Sequence, residues 1–312
     1  MINYTTYQRP KLSIMRVLAE GLAAENRRVL SDWRATLLLR QATLSLPAEQ
    51  RRWEHMPTSI GEVHPILKRL AKKGDLEPLP KLSHLYLVTL PYARTEEVEE
   101  SEVLMELNPF ATISHQSAMV FHQMTDELPK EIHATIPDEG SGGMLPPGTK
   151  PEDWDGLALI RGRVVDKIFN HPVWWHRLSG GRIFGAKEYS PRGYPVRVTT
   201  PERTLLDGLL QPEWCGGFES VLKAWADYKD LIDLESIVRY VNIFNVGILR
   251  QRVGFILEEL GLSNPAIRDW PKKAKRGGSS KLLGSAPFAP TFSERWKLSI
   301  NAPIGVLHEG AG

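Results

Sequence analysis

The sequence predicts an α+β fold, and three features of the chain point to that class. Apolar residues recur at helical spacing over residues 11–73 and 201–260, which predicts helices in both regions. Short runs rich in β-branched and aromatic residues lie between them, as expected of strands. A segment rich in Gly and Pro at residues 138–156 predicts a surface loop. With 312 residues, 42% of them hydrophobic, the chain is long enough for two domains with a sizeable core.

The first part of the chain predicts consecutive helices. Residues 11–26 place apolar side chains on one helical face. A second helix is expected to begin at a Ser31 cap and to reach about Gln41. A weaker helical segment spans residues 47–54.

A basic helix and a hairpin follow. A helix tolerates Pro65 only near its start, so the regular part is expected to run from there to Lys73. Gly74 stands where a left-handed residue ends a helix. Strand-like runs at residues 76–79 and 84–90 flank a short turn. Helices, a basic helix and a two-stranded hairpin, in this order, are typical of a winged helix-turn-helix.

The charge distribution supports a DNA-binding role for this region. Residues 1–94 hold 15 Lys and Arg against 8 Asp and Glu, whereas the rest of the chain holds 24 against 29. In a winged helix-turn-helix the basic helix enters the major groove and the hairpin, or wing, lies along the backbone. The alternative is a helical bundle with a solvated basic face. The expected DNA contacts are Lys68, Arg69, Lys72 and Lys73 on the helix, with Lys81 and His84 on the wing.

The predicted organisation has three parts. Residues 1–94 are the winged-helix domain, residues 95–270 a mixed α/β partner-binding domain, and residues 271–312 a basic loop and a strand that pack on it. The acidic run at residues 95–102 is expected to be a linker or an exposed helix start. Within the second part, residues 157–165 predict a strand, whereas the stretch NHPVWWHRLSGG resembles a loop.

The segment PVRVTTPERTLLDGLLQPEWCGG predicts a strand followed by a well-capped helix. Thr199 and Glu202 have capping-box spacing, or else Thr200 is the cap and Pro201 takes the first helical position. Arg203 and Asp207 are four residues apart and can pair. Structural roles account for these residues without catalysis, so no active site is predicted here.

The sequence predicts no catalytic residue, metal site or cofactor. His115 and His122 share a helical face, but no carboxylate or cysteine joins them at ligand spacing, and packing or hydrogen bonding is the favoured role. The same holds for His171 and His176. A single cysteine excludes an internal disulfide, and no apolar run approaches the ~20 residues of a membrane helix, so a cytoplasmic protein is expected.

Three segments resemble the AbiEi-type antitoxins of bacterial abortive-infection systems. They are VTTPERTLLDGLLQPEWCGG (198–217), LNPFATISHQSAMVFHQM (107–124) and RQRVGFILEELG (250–261), in the family's order. The resemblance implies an N-terminal winged helix that binds double-stranded operator DNA and represses its own operon. It also implies a C-terminal α/β domain that counteracts a nucleotidyltransferase-like toxin encoded beside it. The family signature falls on Thr199, Pro201, Glu202, Arg203 and Asp207.

Two features depart from the family. The N-terminal region has an extra helix at residues 11–26, and a second basic segment leaves a further DNA contact open at Lys272, Lys273, Lys275 and Arg276. Two alternatives remain. One is a stand-alone winged-helix regulator; the other is a metal-dependent nuclease, for which Asp166 and the Lys187-Glu188 pair are candidates in the wrong order for a usual metal motif.

Overall fold

A computed structural model describes residues 10–89, 97–273 and 280–309 and confirms the α+β class. In these residues no helix is long and apolar enough to cross a bilayer. The helices are α1 (Ile14–Ala24), α2 (Asp32–Ser45), α3 (His64–Lys72), α4 (Glu100–Leu107), α5 (His115–Phe121), α6 (Pro201–Leu210), α7 (Phe218–Asp227), α8 (Leu234–Phe244), α9 (Gly247–Glu259) and α10 (Val306–Glu309). The strands are β1 (Val29–Ser31), β2 (Leu76–Pro78), β3 (Leu85–Val88), β4 (Thr112–Ile113), β5 (Ile132–Pro137), β6 (Lys167–Ile168), β7 (His171–Leu178), β8 (Ala186–Tyr189), β9 (Val196–Thr199), β10 (Phe292–Ser293) and β11 (Leu298–Ser299).

Two compact units divide the chain, and neither is continuous in sequence. The first unit comprises Met1–Ala111, Gly140–Phe169 and Glu188–Val196. The second comprises Thr112–Glu139, Asn170–Lys187 and Arg197–Gly312. The division differs from the predicted boundaries after residues 94 and 270, because segments far along the chain pack with the N-terminal elements.

The first unit begins with α1, β1, α2, α3 and the β2–β3 hairpin. Its sheet has the order β1–β3–β2 with antiparallel pairing throughout. Ser31 caps α2 as predicted, because its hydroxyl accepts a hydrogen bond from Arg34 N–H at 3.1 Å. Gly74 ends α3 with φ +79°, in the left-handed region that glycine enters without strain. Apolar faces of the three helices, including Leu18 and Leu67, form the core with this sheet.

The acidic run at residues 95–102 contains the predicted helix start, because α4 begins at Glu100, but this start is not fully exposed. Glu102 and Glu106 are fully buried in the first unit. The Glu102 carboxylate accepts a hydrogen bond from Val29 N–H at 2.8 Å, and the Glu106 carboxylate accepts one from Arg34 Nε at 2.5 Å. The two carboxylates therefore link α4 to β1 and α2. Because their charges are compensated by hydrogen bonds, this charged helix can be buried.

The predicted surface loop at residues 138–156 is also partly internal. Trp154 is buried, with its ring 6.2 Å from that of Trp33. Leu157 joins the same apolar cluster. The strand predicted over residues 157–165 does not form. Leu157 and Ile160 pack in the cluster of Trp33 and Trp154, whereas Leu159 and Val164 are exposed.

The second unit contains paired strands in which β5 lies between β7 and β4, and β4 also pairs with β9 through Ile113 and Val198. Strand β5 pairs antiparallel with β4 and parallel with β7. The loop predicted for residues 170–181 is wrong, because eight of these residues form β7. Adjacent Trp174 and Trp175 then point to opposite faces, as strand geometry requires.

Helices α6 to α9 pack around a large core in the second unit, which includes Trp225 and Leu257. The described residues 280–309 contribute to this core through Trp296, whose ring packs against α9 at Gly254. Gln251 Nε2 donates to Trp296 O at 2.9 Å. The predicted edge strand at residues 296–300 is shorter, and it pairs as β11 with β10.

Candidate functional site

Helix α3 separates an apolar face from a basic one. Pro65 lies in its first turn, where the missing N–H costs nothing, as predicted. Leu67 and Leu70 are buried in the first unit's core. The opposite face carries four exposed cations, which are Lys68, Arg69, Lys72 and Lys73.

The turn of the β2–β3 hairpin carries a further cation close to α3. Lys81 is exposed and has φ +64°, within the turn between β2 and β3. A groove of about 360 Å³ lies between this turn and α3, and Lys68, Lys72 and Lys81 line it. Two elements separated by a strand thus place positive charge around one groove, beside the apolar side chain of Leu79 and the ring of Tyr86.

His84 lies in this groove but faces the interior of the first unit. Its Nδ1 atom is 3.7 Å from Asp32 Oδ2, and its ring lies 4.5 Å from that of His64. Burial, followed by the charge of Arg163, lowers the pKa of His84. His84, the predicted wing contact, thus turns its ring towards a carboxylate of the first unit.

The Asp32 carboxylate lies next to both histidines and also next to the guanidinium of Arg163. Its Oδ2 atom accepts hydrogen bonds from Arg163 Nη2 at 2.7 Å and from His64 Nε2 at 3.0 Å. Burial alone would raise the pKa of Asp32, yet the hydrogen bond and charge of Arg163 hold it below its usual value. Although Asp32, His64 and His84 are close enough to bind a metal, Arg163 already compensates the carboxylate.

The second predicted basic segment is described only at its start. Lys272 is exposed, and its Nζ atom donates to Asp269 Oδ1 at 2.7 Å. This exposed pair contributes little to stability. The side chain of Lys273, together with Lys275 and Arg276, lies outside the described residues.

The signature segment forms the junction of β9 and α6. Of the two caps considered, Thr200 takes this role and Thr199 does not. The Thr200 hydroxyl accepts a hydrogen bond from Arg203 N–H at 3.3 Å. Pro201 occupies the first turn, as that alternative requires.

The charged residues of this signature are buried inside the second unit. Glu202 Oε1 accepts a hydrogen bond from Asp233 N–H at 3.3 Å. Arg203 Nε donates to both carboxylate oxygens of Asp207, at 2.9 and 3.0 Å, and its guanidinium lies 4.3 Å from the Phe184 ring centroid. These contacts favour the structural role over a partner-facing one.

The nuclease candidates do not form a recognisable acid cluster. Asp166 is exposed in the first unit. The Glu188 carboxylate accepts a hydrogen bond from Gly148 N–H at 3.2 Å. Among the described residues, neither belongs to a group of three potential metal ligands.

Three histidines of the second unit converge, in a grouping that differs from the two pairs considered from sequence. His122, the expected neighbour of His115, instead contacts Thr199 O through Nε2 at 2.7 Å. His115, His133 and His176 each offer one ring nitrogen, and these nitrogens lie within 4.8 Å of one another. His133 was missed, because nothing near it in sequence suggests a ligand.

The strands explain how two of these histidines meet. In the parallel β5–β7 pair, His176 stands opposite Thr135, two residues after His133. Side chains two residues apart share a face, so His133 and His176 are diagonal neighbours on one side of the sheet. His133 Nδ1 lies 3.0 Å from His176 Nε2.

Helix α5 supplies the third imidazole from its first residue. His115 has φ +51°, an uncommon conformation for a residue with a Cβ atom. Its Nδ1 atom lies 2.9 Å from Ser114 Oγ, and its Nε2 atom lies 3.2 Å from Gln211 Oε1. The ring of Trp214 covers the cluster, with its centroid 4.2 Å from that of His176.

All three imidazoles are held in the neutral form. Burial lowers the pKa of His115. Burial, followed by the neighbouring imidazoles, lowers the pKa of His133 to about 4 and that of His176 to about 3. Neutral imidazole is the form that can bind a metal through its lone pair.

Comparison with known proteins informs the fold alone. No protein-family model matches the chain, and no curated protein does. The chain is similar to the crystal structure of the RV2827C protein from Mycobacterium tuberculosis, with a TM-score of 0.51 and 14% identity over 98% of this chain and 96% of that one. At this identity the similarity carries no function, and the resemblance to AbiEi-type antitoxins stays a prediction.

Proposed function

We propose that the first unit is a winged helix-turn-helix that binds double-stranded operator DNA. The single observation that carries the proposal is the shared groove between α3 and the β2–β3 turn, with Lys68, Lys72 and Lys81 around it. A helix with an apolar inner face and a row of outer cations has the properties needed to enter a major groove. The cation on the turn would contact the adjacent phosphates.

The proposed biological role is that of an antitoxin that represses its own operon. It rests on the resemblance of the signature segments to AbiEi-type antitoxins. The partner would be a nucleotidyltransferase-like toxin encoded beside this gene. Since Glu202, Arg203 and Asp207 are buried, toxin recognition is assigned to other surfaces of the second unit.

The DNA-binding proposal is tested by fluorescence anisotropy with a labelled duplex from upstream of the operon. Replacing Lys72 and Lys73 together by Ala should weaken binding and flatten the dependence of log Kd on log salt. Each lost phosphate contact lowers that slope by about 0.9, so a change of up to about 1.8 is expected.

Lys11→Ala is the matched control, because Lys11 is an exposed lysine of the same unit that does not line the groove. It should leave affinity and slope unchanged. An unchanged slope and affinity in the Lys72/Lys73 double variant would contradict the assignment of α3.

The antitoxin role is tested separately by co-expression with the neighbouring gene. Rescue of growth from that gene's toxicity, and co-purification of its product with the full chain, are expected. DNA binding without any such neighbour would leave a stand-alone transcriptional regulator, the second function considered.

A further inference from the structure

We propose that His115, His133 and His176 form a binding site for a divalent transition-metal ion, of which zinc is the best fit. The site lies wholly within the second unit and is independent of the proposed DNA-binding groove. Its three ligands come from α5, β5 and β7, so a bound ion would join elements that are far apart in sequence. Imidazole nitrogen is a preferred ligand of zinc.

The spacing of the nitrogens fits tetrahedral coordination. With bonds of about 2.0–2.1 Å, two ligand nitrogens of a tetrahedral zinc ion are about 3.4 Å apart. His133 Nδ1 and His176 Nε2 are 3.0 Å apart, and the three ligand atoms lie within 4.8 Å of one another. Small rotations of the rings therefore suffice to reach a common centre.

The close contact between two imidazoles has a specific meaning. At 3.0 Å one nitrogen must carry a proton that the other accepts, because two lone pairs alone would repel. A metal ion can take the place of this proton and bind both lone pairs. The displaced proton would then reside on the outer nitrogen of the ring.

The outer atoms of the rings suit that exchange. His133 Nε2 lies 3.8 Å from Glu131 Oε2, where a small movement would give it a carboxylate acceptor. Ser114 Oγ lies 2.9 Å from His115 Nδ1, which leaves Nε2 for a ligand. Metal-binding histidines are oriented in this way by partners on the opposite nitrogen.

The surroundings of the three imidazoles offer a side-chain oxygen as a fourth ligand and an aromatic ring that covers the site. Gln211 Oε1 is 3.2 Å from His115 Nε2 and can serve as an oxygen ligand or give way to water. The Trp214 ring covers His115 and His176, with centroids 5.2 and 4.2 Å away. The left-handed backbone of His115 is a strain of the kind that concentrates at functional sites.

The test is a metal titration of the full chain after treatment with EDTA. Cobalt(II) is the spectroscopic probe, and zinc affinity follows from competition with it. The wild type should bind one equivalent and show the visible absorption of four-coordinate cobalt. His133→Gln and His176→Gln should weaken binding by about 100-fold or more, since even outer-partner mutations cost 10–100-fold.

His171→Ala is the matched control, because His171 is exposed and lies on the same strand β7. It should bind cobalt like the wild type. Circular dichroism establishes that the variants are folded, and His115→Gln replaces any that is not.

Two results would overturn the site. One is a wild-type chain that binds neither cobalt nor zinc, which no folding defect can explain. The other is equal metal affinity in the wild type and in folded His133→Gln and His176→Gln variants, which would place the metal elsewhere.

Discussion

Two histidine clusters, one in each unit, differ in the charges beside them. In the first unit, Asp32 holds His64 at 3.0 Å and Arg163 at 2.7 Å, so a guanidinium already compensates the carboxylate. In the second unit, His133 Nδ1 and His176 Nε2 lie 3.0 Å apart, so one ring donates a hydrogen bond to the other. Each cluster has three potential ligands, but only the first has a guanidinium paired with it.

Proximity of potential ligands alone does not distinguish the two clusters. A metal ion that binds Asp32 would have to displace Arg163 from the carboxylate. The displaced guanidinium would stay nearby, and its positive charge would repel the ion. A metal between His133 and His176 displaces a single proton. Charge compensation therefore assigns an ion-pair network to the first cluster and metal binding to the second.

The largest expected difference between the two clusters is that zinc stabilises the elements around His133 and His176 but not those around Asp32. At a free concentration 100 times its Kd, a ligand that binds only the folded state raises the free energy of unfolding by about 2.7 kcal/mol. Hydrogen exchange should show this increase in the amides of β5 and β7. The amides of α2, beside Asp32, should show a smaller change or none.

The same experiment with His133→Gln serves as its control, and zinc should then leave β5 and β7 unchanged. Equal protection of α2 and β5 in the wild type would break the contrast, because it would mean that both clusters bind zinc or that neither does so specifically.

A somewhat smaller effect is expected from Asp32→Ala in the first unit. It removes the partner of Arg163 and His64, and hydrogen bonds to charged groups contribute about 1.5–3 kcal/mol. Both partners are about one third exposed, so solvent compensates part of the loss and about 2 kcal/mol is expected. The measurement is the opening free energy of the α2 amides by hydrogen exchange.

Glu49→Ala is the control for that variant, because Glu49 is an exposed acid of the same unit. A loss in Asp32→Ala no larger than in Glu49→Ala would show that the ion-pair network does not stabilise the first unit.

Much of the fold could be predicted from local patterns. The α3 helix after Pro65, the left-handed Gly74 and the cap at Ser31 follow from residues within a few positions of each. The same is true of the cap and proline that begin α6. Such features depend on short-range sterics and hydrogen bonds, which a sequence displays directly.

The candidate metal site depends on long-range pairing and could not be predicted in that way. His133 and His176 are brought together only by the register of β5 with β7. In sequence the residues of β7 resemble a loop, although alternation of Trp174 and Trp175 across a strand accounts for both. Buried Trp154 escaped prediction for a similar reason, because its partner Trp33 lies in a distant helix.

The smallest effect concerns the pH dependence of the metal-free protein. His133 and His176 have folded pKa values of about 4 and 3, below the unfolded value of about 6.5. Between these limits the unfolded chain binds more protons, so the second unit loses stability as the pH falls from about 6.5 towards 4. His176 is partly exposed, so solvent screening reduces the loss that these shifts would otherwise cause.

Asp32 behaves in a different pH window. Its folded pKa is lowered, so its contribution persists above the unfolded value of about 3.9 and is lost only as the pH falls through the folded value. The opening free energy of the β7 amides can be measured by hydrogen exchange in EDTA from pH 6.5 to 4.5. It should therefore depend less on pH in His176→Gln than in the wild type. Asp32→Asn should leave this pH profile unchanged. A wild-type profile with no decline would mean that the imidazoles accept protons in the folded state, and the two clusters would no longer differ in charge.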